Sequence, residues 1–153
     1  MGPVFEKLNL KDQPEVVVLN APLSFEPELS WLADRRVVRD LEQVEAVAFA
    51  LAFAYRKVEL DQLAAALLAK AEGDAVLWFA YPKRGSKRYK ADFDRDHGWE
   101  VLGDAGFEGV RQVAIDDDWS ALRFRRAEHI ANLRRDPERA VSETRKRRAR
   151  KPG

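Results

Sequence analysis

Three short stretches of the chain are almost wholly apolar. EVVVLN at 15–20 is β-branched and bracketed by Pro14 and Pro22, which predicts a buried strand. VEAVAFALAFAY at 44–55 alternates Ala46, Ala48, Ala50, Ala52 and Ala54 with Val47, Phe49, Leu51, Phe53 and Tyr55. Period two, with one small and one bulky face, predicts a strand covered on both sides. A helix, which alanine itself favours, would scatter the bulky residues around its circumference. AVLWFAY at 75–81 predicts a further buried strand. Between these two lies KVELDQLAAALLAKAE at 57–72, where Leu60, Leu63, Ala64, Leu67, Leu68 and Ala71 recur at three and four. That is the spacing of an amphipathic helix, with Gly73 as its stop.

The remaining signals are weaker. Residues 23–33 hold room for a short helix, and residues 37–41 for a second strand. Residues 94–105 read as a helix with Trp99, Val101, Leu102 and Ala105 apolar and Gly106 as its stop. Residues 110–115 and 121–126 flank a polar connection and predict an antiparallel hairpin, with Val113, Ile115, Leu122 and Phe124 facing inward. Trp31, Trp78 and Trp99 sit where burial is the ordinary expectation. Together the elements predict an α/β fold, a small Rossmann-like sandwich whose mostly parallel sheet is closed by an antiparallel C-terminal hairpin. The expected organisation is an N-terminal arm at 1–13, a single α/β domain at 14–133 and a basic tail at 134–153, flexible or a frayed helix.

Composition narrows the chemistry. The absence of cysteine excludes disulfides, cysteine-ligated zinc, iron–sulfur clusters and thiol catalysis. No apolar run approaches a membrane span and no leader stretch opens the chain, so a cytoplasmic protein without a membrane partner is expected. The net charge of +1 hides an asymmetry. Residues 123–153 carry 12 Lys/Arg against 4 Asp/Glu, a balance of +8, and residues 1–122 carry 15 against 22, a balance of −7. An acidic body with a basic tail (Arg145, Lys146, Arg147 and Arg148 at its densest) reads equally as a solubilising device and as a segment for polyanions.

A second basic run, KRGSKRYK at 83–90, places Lys83, Arg84, Lys87, Arg88 and Lys90 around Tyr89. It follows the C-terminal end of a predicted parallel strand, where open α/β sheets present their ligand crevice. Lys and Arg neutralise phosphates and tyrosine stacks on unpaired bases, so nucleic acid is one expected partner; a solvated loop is the other reading. Other constellations are weaker. Gly103, Gly106 and Gly109 follow a helix rather than a strand, and the order Gly85-Ser86-Lys87 fails the phosphate-loop pattern. Asp92, Asp94 and Asp96 alternate like the start of a calcium loop, but its sixth position is His97 and its twelfth Gly103, so helix capping is expected instead. Asp94 and Asp96 beside His97 leave an acid–base pair open. Asp116, Asp117 and Asp118 read as a solvated turn with one cap. No catalytic residue and no metal site is assigned.

A strand ending Tyr81-Pro82-Lys83, then a helix, Ala105-Gly106-Phe107, a strand, and Asp118-Trp119-Ser120-Ala121-Leu122-Arg123 resembles a bacterial domain-of-unknown-function family, the one numbered 3052. The resemblance spans residues 14–130 and is most specific at Asp118, Trp119, Ser120 and Arg123, where an Asp118–Arg123 pair across the hairpin is expected. The element order is also similar to the C-terminal half of Rossmann-like methyltransferases, which implies a fold and no activity. Nucleotide-type cofactors need a glycine-rich turn after the first strand. Here that strand runs into Asn20-Ala21-Pro22-Leu23, with no glycine from there to Gly73, so no cofactor is expected. The leading expectation is a non-catalytic interaction module that binds nucleic acid or another polyanion through residues 83–90 and the tail. The alternative is a small enzyme or phosphorylated-metabolite binder of reduced methyltransferase-like architecture, working in the crevice beside residues 83–90 and 92–97. A third reading is a homo-oligomer or partner-protein adaptor that pairs through the hairpin edge.

Overall fold

The computed structural model describes residues 2–134. Six strands form one sheet: β1 (Glu15–Leu19), β2 (Arg36–Val38), β3 (Val47–Phe53), β4 (Ala71–Pro82), β5 (Phe107–Ala114) and β6 (Trp119–Arg126). Their order is β2-β1-β3-β4-β6-β5. The first four run parallel, β6 is antiparallel to β4, and β5, antiparallel to β6, runs in the same direction as the first four. This is the expected Rossmann-like sandwich, closed by an antiparallel hairpin.

The alternation along β3 sorts the molecule into two layers. Ala50, Ala52 and Ala54 face a layer built on α3 (Lys57–Leu68), where Leu60, Ala64 and Leu67 are buried beside Leu77 and Phe79 of β4. Small side chains on the strand let a full helix lie close against it. Phe49, Leu51 and Phe53 face the opposite layer, whose cover is thin and irregular. There α1 (Pro3–Lys7) and the turn after it bury Val4, Phe5, Leu8 and Leu10, and Trp78 Nε1 donates to the carbonyl of Leu8 at 2.7 Å. Residues 3–10, set apart in the sequence as an arm, are thus part of the second layer. Short elements leave gaps that large side chains fill, and Phe49 and Phe53 of β3, with Phe5 and Phe25, lie on this side.

Several boundaries differ from the pattern. The helix expected to reach residue 72 stops at Leu68, and Gly73 lies inside β4 with φ 54°. Residues 23–33 fold as two short 3-10 turns around α2 (Glu26–Leu29), and Trp31 there is 58% exposed rather than buried. Only Glu100–Asp104 of the helix expected at 94–105 forms, as α4. Before it, Asp94 Oδ1 accepts from the backbone N–H groups of Asp96 and His97, each at 2.9 Å, so the chain turns instead of coiling. Gly98, at φ 109°, lies so close to Phe93 that a Cβ would sit 2.7 Å from its own Cβ. Gly106, at φ 86°, ends α4 as expected. The hairpin residues expected to face inward do so on two sides: Val113 and Ile115 join the layer of α1, and Leu122 and Phe124 the layer of α3. A bulge between Gly109 and Arg111 interrupts the outermost strand, β5. The chain continues into α5 (Ala127–Arg134). Among the described residues no helix is long and apolar enough to cross a membrane.

Candidate functional site

Beyond the C-terminal end of β4 the chain leaves the sheet at Pro82 and does not return to it until β5, after α4. The loop folds back over the strand end and encloses a cleft of about 700 Å³. Its floor is aromatic. Tyr81 and Phe93 lie with ring centroids 6.3 Å apart, and Trp99 contacts Tyr81 at 5.8 Å and Phe93 at 5.5 Å. The Tyr81 hydroxyl accepts from Gln112 Nε2 of β5 at 2.8 Å, and burial pushes its pKa up, holding it neutral. The buried Ser120 of β6 lines the same wall.

The rim is charged. Lys83, Arg84, Lys90 and Arg95 line it together with Asp92, Asp94 and Asp96. His97 Nδ1 lies 2.9 Å from Asp94 Oδ1, and this bond, with the backbone N–H groups on the same oxygen, draws the Asp94 carboxyl below its ordinary pKa. The Asp94 contact on Nδ1 orients the imidazole ring. Arg84 approaches the other Asp94 oxygen at 3.8 Å. The loop is anchored to α3. Asp92 Oδ1 accepts from Lys57 N at 2.6 Å, capping the helix from 35 residues away. Lys57 Nζ bridges Asp61 and Glu100, and Glu100 in turn accepts from Gly98 N at 3.2 Å. Of the alternating aspartates, Asp92 caps a helix as expected, though that helix is α3, and Asp94 ties the loop's own turn. Among the described residues no group of three or more such side chains is placed to hold a metal ion.

The basic run divides. Lys83, Arg84, Tyr89 and Lys90 line the cleft, and Lys87 and Arg88 are exposed on the turn outside it. Tyr89 is half-buried, its ring 4.9 Å from that of Trp119 and 6.5 Å from that of Tyr55, so that it braces the loop. Ser86 is buried and donates to Asp118 Oδ1 at 2.9 Å, while Lys83 N donates to the Asp118 carbonyl at 2.8 Å. Asp118 thus holds the loop, and the expected Asp118–Arg123 pair does not form. Trp119 is buried in the second layer, and Asp116 supplies the turn's cap, accepting from Asp118 N and Trp119 N at 2.8 Å each. Arg123 is half-buried with its Nε unpartnered, and burial lowers its pKa. Arg145, Lys146, Arg147 and Arg148 lie outside the described residues. Sequence reading put the crevice beside 92–97 without singling out Phe93 and Arg95, and missed Tyr81 and Gln112 as cleft residues. Arg95 and Phe93 carried a signal, their closeness to Asp94 and His97; Gln112 arrives from a distant strand and carried none.

No family model matches the chain, and no curated protein matches it. The numbered family suggested by residues 81–123 gains no support from that side. Solved structures do match. An adenosylmethionine-dependent methyltransferase from Aquifex aeolicus aligns with a TM-score of 0.53 at 12% identity, over 79% of this chain and 86% of that one. Magnesium protoporphyrin IX methyltransferase from Synechocystis aligns with 0.52 at 14%, over 80% and 79%. Precorrin-6y C5,15-methyltransferase from Geobacter metallireducens aligns with 0.51 at 12%, over 80% and 85%. The chain has a Rossmann-like methyltransferase fold. The expectation of a non-catalytic interaction module for nucleic acid or another polyanion is overturned by these matches, because the three structures named are methyltransferases; the alternative of a small enzyme on a reduced methyltransferase-like frame fits them better. The expectation rested on the charges at 83–90, two of which face away from the cleft, and on those of the tail, which lies outside the described residues.

The fold raises adenosylmethionine as a cofactor, and the residues present do not fit it. The turn after β1 is Asn20-Ala21-Pro22, without glycine and with no backbone donor at Pro22. The Asn20 side chain reaches across the ends of two strands, donating to the Phe53 carbonyl at 2.9 Å.

Proposed function

We propose that this protein is a small enzyme or ligand binder on a reduced methyltransferase-like frame, and that it takes a phosphorylated metabolite in the cleft between β4 and residues 83–97. The observation that carries this reading is the convergence of Lys83, Arg84, Lys90 and Arg95 on one rim above an aromatic floor. Cationic side chains hold a phosphate, and the floor of Tyr81 and Phe93 receives the apolar or ring part of the molecule. The Tyr81–Gln112 pair and Ser120 present polar groups that set the ligand's orientation. His97, held by Asp94, is the proton-transfer group of the cleft, taking a proton from a ligand hydroxyl or from water while the Asp94 carboxylate stabilises the imidazolium.

The test is a thermal-shift panel of sugar phosphates, nucleoside monophosphates and inorganic phosphate, followed by calorimetry on any compound that stabilises the chain. At a hundredfold excess over its Kd a true ligand adds about 2.7 kcal/mol, a shift of several degrees. Arg84→Ala combined with Lys90→Ala is expected to abolish that shift, leaving the unliganded melting point unchanged because both side chains are exposed. A panel with no stabilising member, or a shift that survives the double variant, overturns the reading.

A further inference from the structure

In an open α/β sheet the ligand crevice lies outside the carboxyl ends of the strands, where the strand order reverses. Here the order reverses between β1 and β3. That position is spanned by the protein's own polar side chains. Asn20 takes the left-handed conformation, φ 63°, which an asparagine adopts at low cost. From there Nδ2 donates both to the Phe53 carbonyl and to Glu59 Oε2, each at 2.9 Å. Glu59 Oε1 accepts from the backbone N–H of Tyr55 at 3.2 Å. One asparagine and one glutamate thus join the end of β1, the end of β3 and the first turn of α3.

We propose that this crevice is a structural clamp and not a cofactor pocket, and that the protein works without adenosylmethionine. A ligand entering here has to break both Asn20 bonds and uncover a carboxylate, and it gains in return a turn with a proline where a backbone donor is needed. The adjoining cleft beside β4 is then the site that remains open on the same edge of the sheet. That last point rests on the reading of the cleft given above, whereas the clamp itself does not.

The experiment is a pair of amide-resolved NMR titrations on the full chain, one with adenosylmethionine and one with inorganic phosphate, together with thermal unfolding of Asn20→Ala and Glu59→Gln. Adenosylmethionine is expected to leave the amides of residues 19–23 and 53–59 unmoved up to about 1 mM, a concentration at which even a 1 mM ligand half-saturates its site. Asn20→Ala is expected to lower Tm by roughly 4 °C or more, and Glu59→Gln, which keeps an acceptor for Asn20, by less. Saturable shifts at those amides with adenosylmethionine overturn the proposal, and so does an Asn20→Ala variant that melts with the wild type. The phosphate titration separates the two claims: shifts confined to residues 83–97 support the cleft, and their absence removes the cleft while leaving the clamp standing.

Discussion

Two buried tryptophans differ in one bond. Trp78 and Trp119 both lie in the layer of α1, but Trp78 Nε1 donates to Leu8 at 2.7 Å while Trp119 Nε1 is buried with no partner. Trp78→Phe leaves the Leu8 carbonyl unpaired, and Trp119→Phe removes a donor that makes no bond. Urea unfolding is expected to show Trp78→Phe costing about 1–2 kcal/mol more than Trp119→Phe. Equal losses would mean that the indole volume, and not the hydrogen bond, sets the value. A charge pair makes a second residue-level case. Arg125 hydrogen-bonds Asp74 and holds its carboxyl below the ordinary 3.8. Because the folded pKa is depressed, the stabilisation is present above 3.8 and disappears as pH falls through the folded value. Asp74→Asn should therefore lower the urea midpoint well above that pH and match the wild type well below it; a deficit that persists in acid would assign the effect to packing.

At the scale of elements, the alanine face of β3 is where sequence and structure agree most closely. Alternation over residues 49–53 specified the strand, its two covered faces and the small side against α3, because strand periodicity puts Ala50 and Ala52 on one face and Phe49, Leu51 and Phe53 on the other. Overfilling that face should be costly: Ala50→Leu places three extra carbons beneath α3 and is expected to destabilise by about 1–3 kcal/mol in chemical unfolding. A neutral result would show that the helix has room to withdraw. The loop at residues 92–99 was not legible. Its polar residues and Trp99 imitate one face of a helix, and what decides the matter is tertiary: the Asp94 turn, the tie of Asp92 to Lys57 N and the close approach of Gly98 to Phe93. The cleft was half legible for the same reason. Lys83, Arg84 and Lys90 announced themselves in a run, but the partners that turn a basic loop into a cavity come from β5, β6 and the misread loop.

Taken whole, the molecule is a sheet with unequal covers, a long helix on one side and a patchwork of short turns on the other. The patchwork depends on its N-terminal piece, since Phe5, Leu8 and Leu10 are all at most 1% exposed. Deleting residues 2–10 uncovers Phe49 and Trp78 and is expected to abolish the cooperative melt followed by circular dichroism. A truncated chain that still melts in one sharp step would show the sheet to be self-sufficient. At this scale the strand order was only partly readable. The closing hairpin followed from the turn chemistry, but nothing in local pattern told β1 to lie between β2 and β3.

The aromatic floor of the cleft has one more consequence, an optical one. Trp99 packs with Phe79, Tyr81, Phe93 and Phe124, at centroid separations from 5.1 to 6.2 Å, and its indole N–H donates to Asp94 in the loop. Rings held at fixed angles and short range produce strong near-ultraviolet ellipticity, so the loop carries its own chromophore. Any molecule that settles into the cleft will write its arrival in that band, with no label attached.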